Sequence, residues 1–436
     1  MLNPESGPRL AFVWENFGPY HHARVAAVQS ILGPAQVVPV EISSKTETYG
    51  WQKEIIESEG LVSLFDEVAV EKSSPLLVFL RIRKLLIKSR VDAVFVPSYW
   101  PLRSLAVLLA ARSCGCRCVM MNDSHAETAQ ARGISLLFKK SFLMLFDAGL
   151  VAGSPHVNYF QSLGMPANDL FTGYDCVDNH FFSAASEKAL AADGIERARL
   201  GLPAKYLLNV GRMVGKKNLE TLIEAYSILI RRNTAGDFHL VLAGSGEREP
   251  ALKVLCRERK LQVYEHSGSA FGETPTAPGV HFMGFRQIAE NAVIYGLASV
   301  FILPSKSEEW GLVVNEAMAS GLPVIVSERA GCAEDLLPEI SREVASEYES
   351  EAGVQPATVK MRRNGFVFDP ASSEELSRQL QLLISKPGLR ERMAAESRKI
   401  VDDFSPQHFA RQAIAAVSHA MLRGSGQKAE TLKAEN

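Results

Sequence analysis

SVFILPSKSEEWGLVVNEAMASGLPVIVS, residues Ser299–Ser327, decides the architecture. An apolar run ends at Pro304, a polar loop follows, Gly311 precedes a short helix ending at Gly321, and a second apolar run begins at Val324. Short apolar strands separated by a helix are the pattern of a parallel sheet covered on both faces. At the carboxyl end of such a strand the first helical amides lack carbonyl partners, so Gly311, Leu312 and Val313 present N–H groups suited to a diphosphate. Glu308 in the loop and Glu316 about a turn into the helix would repel phosphate. They suit accepting hydrogen bonds from sugar hydroxyls. Carboxylates here also fit a solvated helix start favoured by the macrodipole, so this segment alone leaves both readings open.

A second segment shifts that balance. LLNVGRMVGKKNLETLIEAYSIL, Leu207–Leu229, passes from a strand through Gly211, Arg212, Lys216 and Lys217 into a helix with Leu219, Leu222, Ile223 and Tyr226 on one face. Arg212 and Lys217 straddle a glycine-containing loop, where a guanidinium fork and an ammonium suit two phosphate groups. Either cation alone reads as an ordinary solvated loop residue.

Working outward, candidate strands recur at Leu10–Trp14, Gln36–Glu41, Glu67–Val70, Asp92–Val96, Cys118–Met121 and Gly149–Ala152. A second series lies at Tyr206–Val210, His239–Ala243, Val280–Met283, Val300–Leu303, Val324–Ser327 and Phe366–Phe368. Helical segments intervene, among them His21–Leu32, Leu76–Lys88, Leu102–Arg112 and Ile134–Phe146. The expectation is an α/β protein of two doubly wound, Rossmann-like parallel-sheet domains facing across a cleft. Residues 1–185 form the first and 203–404 the second, with Ala184–Pro203 as linker. His266–Gly279 and Pro338–Arg363 read as surface insertions. Helices follow at Glu374–Ile384, Leu389–Phe404 and Gln407–Arg423, and residues 424–436 read as a disordered tail.

The 436 residues are 47% hydrophobic and 22% charged, ordinary globular proportions. With 47 Lys and Arg against 49 Asp and Glu there is no global basic field, which excludes nonspecific nucleic-acid binding. Six cysteines without a repeating framework fit a reducing cytoplasm. Cys114, Cys116 and Cys118 alternate, but no Cys/His pair has finger-like spacing, so packing is preferred to a metal. Neither a leader peptide nor an uncharged run of membrane-spanning length is present, so the expected location is cytoplasmic, with peripheral contact at the inner membrane surface left open.

Taken together, GRxxxxK at Gly211–Lys217, the E-x7-E pair Glu308 and Glu316 around WGL, AMASGLPVI, and NGFVFDP at Asn364–Pro370 resemble the family 4 retaining glycosyltransferases of GT-B fold. The resemblance runs from about Tyr206 to Phe404. It implies that Arg212 and Lys217 hold the donor diphosphate, Glu316 the ribose hydroxyls and Glu308 the transferred sugar. HFMGF, His281–Phe285, resembles the family's nucleobase loop, ending at Phe285. It implies a nucleoside-diphosphate sugar as donor, a glycan, lipid-linked or small-molecule hydroxyl as acceptor, and a final helix from Gln407 crossing back to the first domain. It also implies a histidine near the donor sugar, for which His125 in NDSHAE is the match. The loop ENFGPYHHAR, Glu15–Arg24, resembles the family's first glycine-bearing loop, making Gly18, His21 and His22 acceptor-side candidates, with Glu127 of NDSHAE, Asn122–Glu127, a fourth. No Asp-x-Asp occurs, so no cofactor or metal is expected.

Other readings stay open. A GT-B epimerase or hydrolase of nucleotide sugars would share the diphosphate site, and a noncatalytic carbohydrate-binding protein would share the fold. A dehydrogenase is disfavoured because Leu10–Trp14 leads into ENFGPY and not a three-glycine turn. Leu76–Arg90, apolar but carrying Arg81, Arg83, Lys84, Lys88 and Arg90, suits either a membrane surface or a sheet-packed helix with cations at its rim.

Overall fold

The computed structural model describes residues 7–47, 60–98, 101–129, 134–266, 277–341 and 359–434. The chain divides into two compact units, Met1–Val177 with Phe404–Asn436, and Asp178–Asp403. The first contains β1 (Leu10–Trp14), α1 (Pro19–Leu32), β2 (Val37–Ser43), β3 (Val62–Phe65), α2 (Pro75–Lys88), β4 (Ala93–Pro97), α3 (Leu102–Ser113), β5 (Arg117–Asn122), α4 (Ile134–Leu143), β6 (Ala148–Val151), α5 (Ser154–Ser162) and β7 (Leu170–Phe171). The second opens with α6 (Asn179–Ala191), α7 (Asp193–Leu200), β8 (Tyr206–Val210), α8 (Leu219–Arg231), β9 (His239–Ala243), α9 (Glu249–Glu258), β10 (Gln262–Glu265) and β11 (Gly279–Phe282). It continues with α10 (Ile288–Gly296), β12 (Val300–Leu303), α11 (Leu312–Ala319), β13 (Val324–Ser327), α12 (Ala333–Leu336), β14 (Met361–Arg362), β15 (Gly365–Phe368), α13 (Ser373–Ser385) and α14 (Pro387–Val401). The last helix, α15 (Pro406–Ala434), returns to the first unit.

In the first unit seven parallel strands lie in the order β3-β2-β1-β4-β5-β6-β7. From β1 the chain winds toward one edge, and from β4 toward the other. The order therefore reverses between β1 and β4, where an open sheet leaves a crevice beyond its carboxyl ends. One core joins Val94, Val96, Cys118 and Met120 to Val78, Ile82 and Leu86 of α2, Val107 of α3 and Phe160 of α5. On the other face Phe12 and Phe95 stack at 4.1 Å and pack with Val25 of α1 and Phe409, Ala413 and Val417 of α15. The spacing of those α15 residues is one helical face, and alanines let the helix approach closely.

The second sheet is ordered β10-β11-β9-β8-β12-β13-β15-β14 and is parallel except for its last pair. Its reversal falls between β8 and β12. The strands expected at Tyr206–Val210, His239–Ala243, Val300–Leu303 and Val324–Ser327 occur with those bounds.

Other expectations change. Glu67–Val70 is not a strand: Val62–Phe65 takes that place, with Val62 opposite Val40 and Phe65 opposite Ser43 of β2, and Val70 begins a 3-10 turn. Ala184–Pro203 is not a linker but helix, because its alanines favour helix and bury Ser186 and Ala189. Here α6 packs on α10 and α11, and only glycine fits at 296, whose Cβ would lie 2.6 Å from Ser186 Cα. The chain divides at Val177, before the expected boundary. Residues 424–434, expected as disordered tail, continue α15. The strands β7, β10 and β14 and the helix α5 have no counterpart in the sequence reading. Of the expected insertions, 267–276 and 342–358 lie outside the described residues, while Gly279 begins β11 and Met361–Arg362 is β14. Burial pushes the Cys116 and Cys118 thiols up to about 12, as packing residues require. No helix among the described residues is long and apolar enough to cross a membrane.

Candidate functional site

In the second unit the loops after β8 and β12, adjacent strands at the reversal, are drawn together by buried polar groups. Asn218, ahead of α8, holds left-handed backbone (φ 55°) and is 1% exposed. Its Nδ2 donates to the carbonyls of Pro304 at 3.0 Å and Pro370 at 2.9 Å, tying together the chain after β8, β12 and β15. Beside it the Gly211 amide donates to the Ala243 carbonyl at 2.9 Å, and Gly244 (φ 137°) lies so near Gly211 that a Cβ would strike its carbonyl. Glycine at 244 is thus a packing requirement.

Lys217 Nζ donates to Glu308 Oε2, which also accepts from Ser305 Oγ at 3.0 Å. The side chains of Lys217 and Glu308 are only 14% and 10% exposed. Lys216 Nζ pairs with Glu309 at 2.7 Å, and the Lys306 amide donates to the Lys216 carbonyl at 2.8 Å. Burial would raise the Glu309 pKa, but the Lys216 hydrogen bond, a backbone hydrogen bond and the charges of Lys216 and Lys217 together outweigh it and hold the carboxyl below its ordinary value. Arg212 is exposed and makes no ion pair among the described residues.

Gly311 caps α11 with positive φ (108°), and a Cβ there would lie 2.9 Å from Leu303 Cδ2. The Val314 amide bonds back to the Gly311 carbonyl at 2.8 Å. The amides of Gly311, Leu312 and Val313 before it have no backbone carbonyl among the described residues. The loop is braced from below: Gly331 donates to the Glu308 carbonyl at 3.1 Å, Cys332 to that of Trp310 at 3.2 Å, and buried Trp310 donates to Asn315 Oδ1 at 2.9 Å. Glu316, on α11, is 3% exposed. Phe285, after β11, is exposed, and the preceding Gly284 accepts from the Gly244 amide at 2.8 Å.

Behind that loop three histidines form a chain, His266 Nε2 to His281 Nδ1 at 2.9 Å and His281 Nε2 to His239 Nδ1 at 3.0 Å. Burial lowers the pKa of all three, that of His281 to about 2. They escaped the sequence reading because His239, His266 and His281 meet only through the pairing of β9, β11 and β10. Asn218 and Ser305 escaped it too, although an Asn just before a helix is a recognisable cap signal.

In the first unit the Gly18 amide donates to His21 Nδ1 at 2.9 Å, and the His21 ring stacks on Trp14 at 4.6 Å. Burial, then the nearby Arg24, lower the His21 pKa well below its ordinary value. His22 meets Phe17 edge-on at 5.2 Å. His125 is buried edge-on to His156 at 5.3 Å, and Glu127 is exposed in the turn that follows. Beyond the carboxyl ends of β1, β4 and β5 lies a cavity of about 280 Å³ lined by Glu15, Ser98, Ser104, Asn122, Asp123 and Tyr174 among others. Gly18, His21, His22, His125 and Glu127 lie outside its lining. Asn122 Nδ2 donates to Ser98 Oγ at 2.7 Å, holding Ser98 at φ 67°. Arg103 pairs with Glu15 at 3.1 Å, and the fully buried Ser104 hydroxyl has no hydrogen-bond partner among the described residues.

Residues 204–386 match the family model described as glycosyl transferases group 1. The chain is 31% identical over 159 residues to a mannosylfructose-phosphate synthase of Agrobacterium fabrum, covering 36% of this chain and 32% of that protein. It is 27% identical over 227 residues to a D-inositol 3-phosphate glycosyltransferase of Nocardioides, covering 50% and 43%. The matches thus span less than half the length of these relatives. A glycosyltransferase from Rickettsia africae superimposes with TM-score 0.67 at 17% identity, covering 95% of this chain and 99% of that one. Anabaena Alr3699/HepE, solved in complex with UDP-glucose, gives 0.64 at 16%, covering 93% and 98%. These structural likenesses establish the fold, which is GT-B.

Proposed function

We propose, from a second unit that carries a group 1 glycosyl transferase domain over residues 204–386, that this chain transfers a glycosyl group from a nucleoside-diphosphate sugar to an acceptor hydroxyl, retaining anomeric configuration. The observation that carries the reading is the meeting, at the sheet's reversal, of Lys217 and Glu308 from adjacent strand ends, next to the unbonded first amides of α11. A nucleotide-sugar donor is further supported by the similarly folded Anabaena protein in complex with UDP-glucose.

As the sugar–phosphate bond breaks, negative charge grows on the leaving diphosphate. Arg212, Lys217 and the amides of Gly311, Leu312 and Val313 are the groups to stabilise it. Glu316 accepts from the ribose hydroxyls and Glu308 from the sugar. Lys217 holds Glu308 in place, so one ion pair serves both ends of the breaking bond. The sequence offers no evident nucleophile–base pair, so, as the family resemblance implies, the donor phosphate assists removal of the acceptor proton on the same face as the departing group. The first unit's cavity takes the acceptor. Without an Asp-x-Asp clamp in the sequence, the cations do the work of a metal, and turnover should persist in EDTA.

The test is thermal stability against UDP, GDP, ADP and dTDP without metal. It is followed by NMR of the product formed from the corresponding sugar donors. A shift with one nucleotide, lost in Arg212→Ala and Glu316→Ala, and a product of unchanged anomeric configuration are expected. Absence of any shift overturns the reading, and free sugar without acceptor product makes the chain a hydrolase.

A further inference from the structure

The α2, α3 and α4 helices follow β3, β4 and β5, whose crossovers run in one direction, so they lie on one face of the first sheet. Their inner residues, Val78, Ile82, Leu86 and Val107, belong to the core. That accounts for one stripe of each helix. It leaves an outer set of large apolar side chains in solvent: Leu76 at 67% exposure, Leu80 at 52% and Ile87 at 53% on α2, and Leu137 at 66% and Phe138 at 60% on α4. Met144, just past α4, is 84% exposed. On α2 these alternate along the outer face with exposed Arg83, Lys84 and Lys88.

The charge on this layer has one sign. The three helices carry no Asp or Glu; α2 supplies Arg81, Arg83, Lys84 and Lys88 and α4 supplies Lys139 and Lys140, while Arg103 and Arg112 of α3 are paired with Glu15 and Asp147 and add no net charge to the face. The whole chain has slightly more acidic than basic residues, so this layer departs sharply from its surroundings. A partner protein surface would normally be met by charges of both signs. A layer that is apolar and cationic, with nothing acidic, complements an anionic lipid surface: leucines enter the acyl boundary while lysines and arginines stay at phosphate level.

We infer that the α2–α4 face of the first unit docks on anionic lipid bilayers. The contact is reversible and interfacial, since no described helix can span. It uses no residue of the candidate site and stands apart from the proposed activity.

Co-sedimentation of the full chain with vesicles of phosphatidylcholine alone, or with 30% phosphatidylglycerol, tests it (the lipid fraction being about that of an anionic leaflet). Binding to the anionic vesicles is expected, weakened about tenfold or more when salt rises from about 0.1 to 0.5 M. Leu80→Glu should abolish it and the exposed pair Arg83→Ser with Lys84→Ser should weaken it, neither changing the melting temperature. Wild-type protein remaining in the supernatant, or variants binding as wild type does, overturns the inference. So does a dimer in sedimentation velocity that Leu80→Glu dissociates, since a second copy would then own the face.

Discussion

Each unit reverses its strand order once, and each places its polar residues at that reversal, but by different means. In the second unit the crevice is braced by ion pairs and glycine-to-glycine backbone contact, with Lys217, Glu308 and Asn218 largely withdrawn from solvent. In the first it is a hollow, whose wall includes a hydroxyl with no hydrogen-bond partner among the described residues and a serine held in left-handed backbone. On the proposed function, the difference teaches that a fixed, highly charged donor element would be met by preformed opposite charge, and a variable acceptor by shape and hydrogen-bonding groups.

The sharpest way to break this contrast is to remove the charges. Lys217→Ala should lower kcat/KM by about 10²–10³, the usual effect of deleting one donor to a developing anion. It should also destabilise the protein by on the order of 3 kcal/mol, because Glu308 is left buried without the opposite charge of Lys217, the neutral Ser305 hydrogen bond remaining. Arg212→Ala should cost similar activity and almost no stability, being exposed and unpaired among the described residues. Chemical denaturation beside steady-state kinetics separates the two, and equal stability losses would mean the charges do not differ in preorganisation.

Next comes acid sensitivity. His281 has a folded pKa of about 2 against an ordinary 6.5, so between those values the unfolded chain binds a proton that the folded chain refuses. Stability from this group is therefore present above pH 6.5 and falls as pH drops below it, by about 1.4 kcal/mol per pH unit. Melting profiles from pH 7 to 5 should be steeper for wild type than for His281→Gln. Parallel profiles would show that the chain of histidines carries no such linkage.

The smallest effect tests the hollow. Ser104→Ala removes a buried hydroxyl with no hydrogen-bond partner among the described residues, so stability should hold or rise by up to about 1 kcal/mol. If the cavity receives the acceptor, its KM should rise severalfold while the donor KM stays put. A change in the donor KM instead would assign the hollow to the donor.

Most of the second unit was legible because its signals are local. Arg212, Lys217, Glu308 and Glu316 sit at short fixed spacings beside glycines that punctuate strand ends, and the strands between them are uninterrupted apolar runs. The first unit was less so. Its cavity is assembled from Glu15, Ser98, Ser104 and Asn122, contributed by three strand ends and a helix, with no spacing that predicts their meeting. The misplaced third strand has the same cause: Val62–Phe65 and Glu67–Val70 are both short and partly apolar, and only pairing with β2 chooses between them. Ala184–Pro203 failed differently, since alanine and charge describe an exposed helix as well as they describe a linker.

The return of α15 has a consequence for how the protein is made. Phe409, Ala413 and Val417 complete a core begun by Phe12, so residues 1–177 cannot close that face by themselves as they leave the ribosome. All of Asp178–Asp403 emerges before the missing helix does. Asp178–Asp403 can therefore finish folding before the earlier-made unit does, while Phe12 and Phe95 have α1 beside them but lack Phe409, Ala413 and Val417. At roughly 5–20 residues per second that interval lasts many seconds, a window in which chaperones would have their main work on this chain.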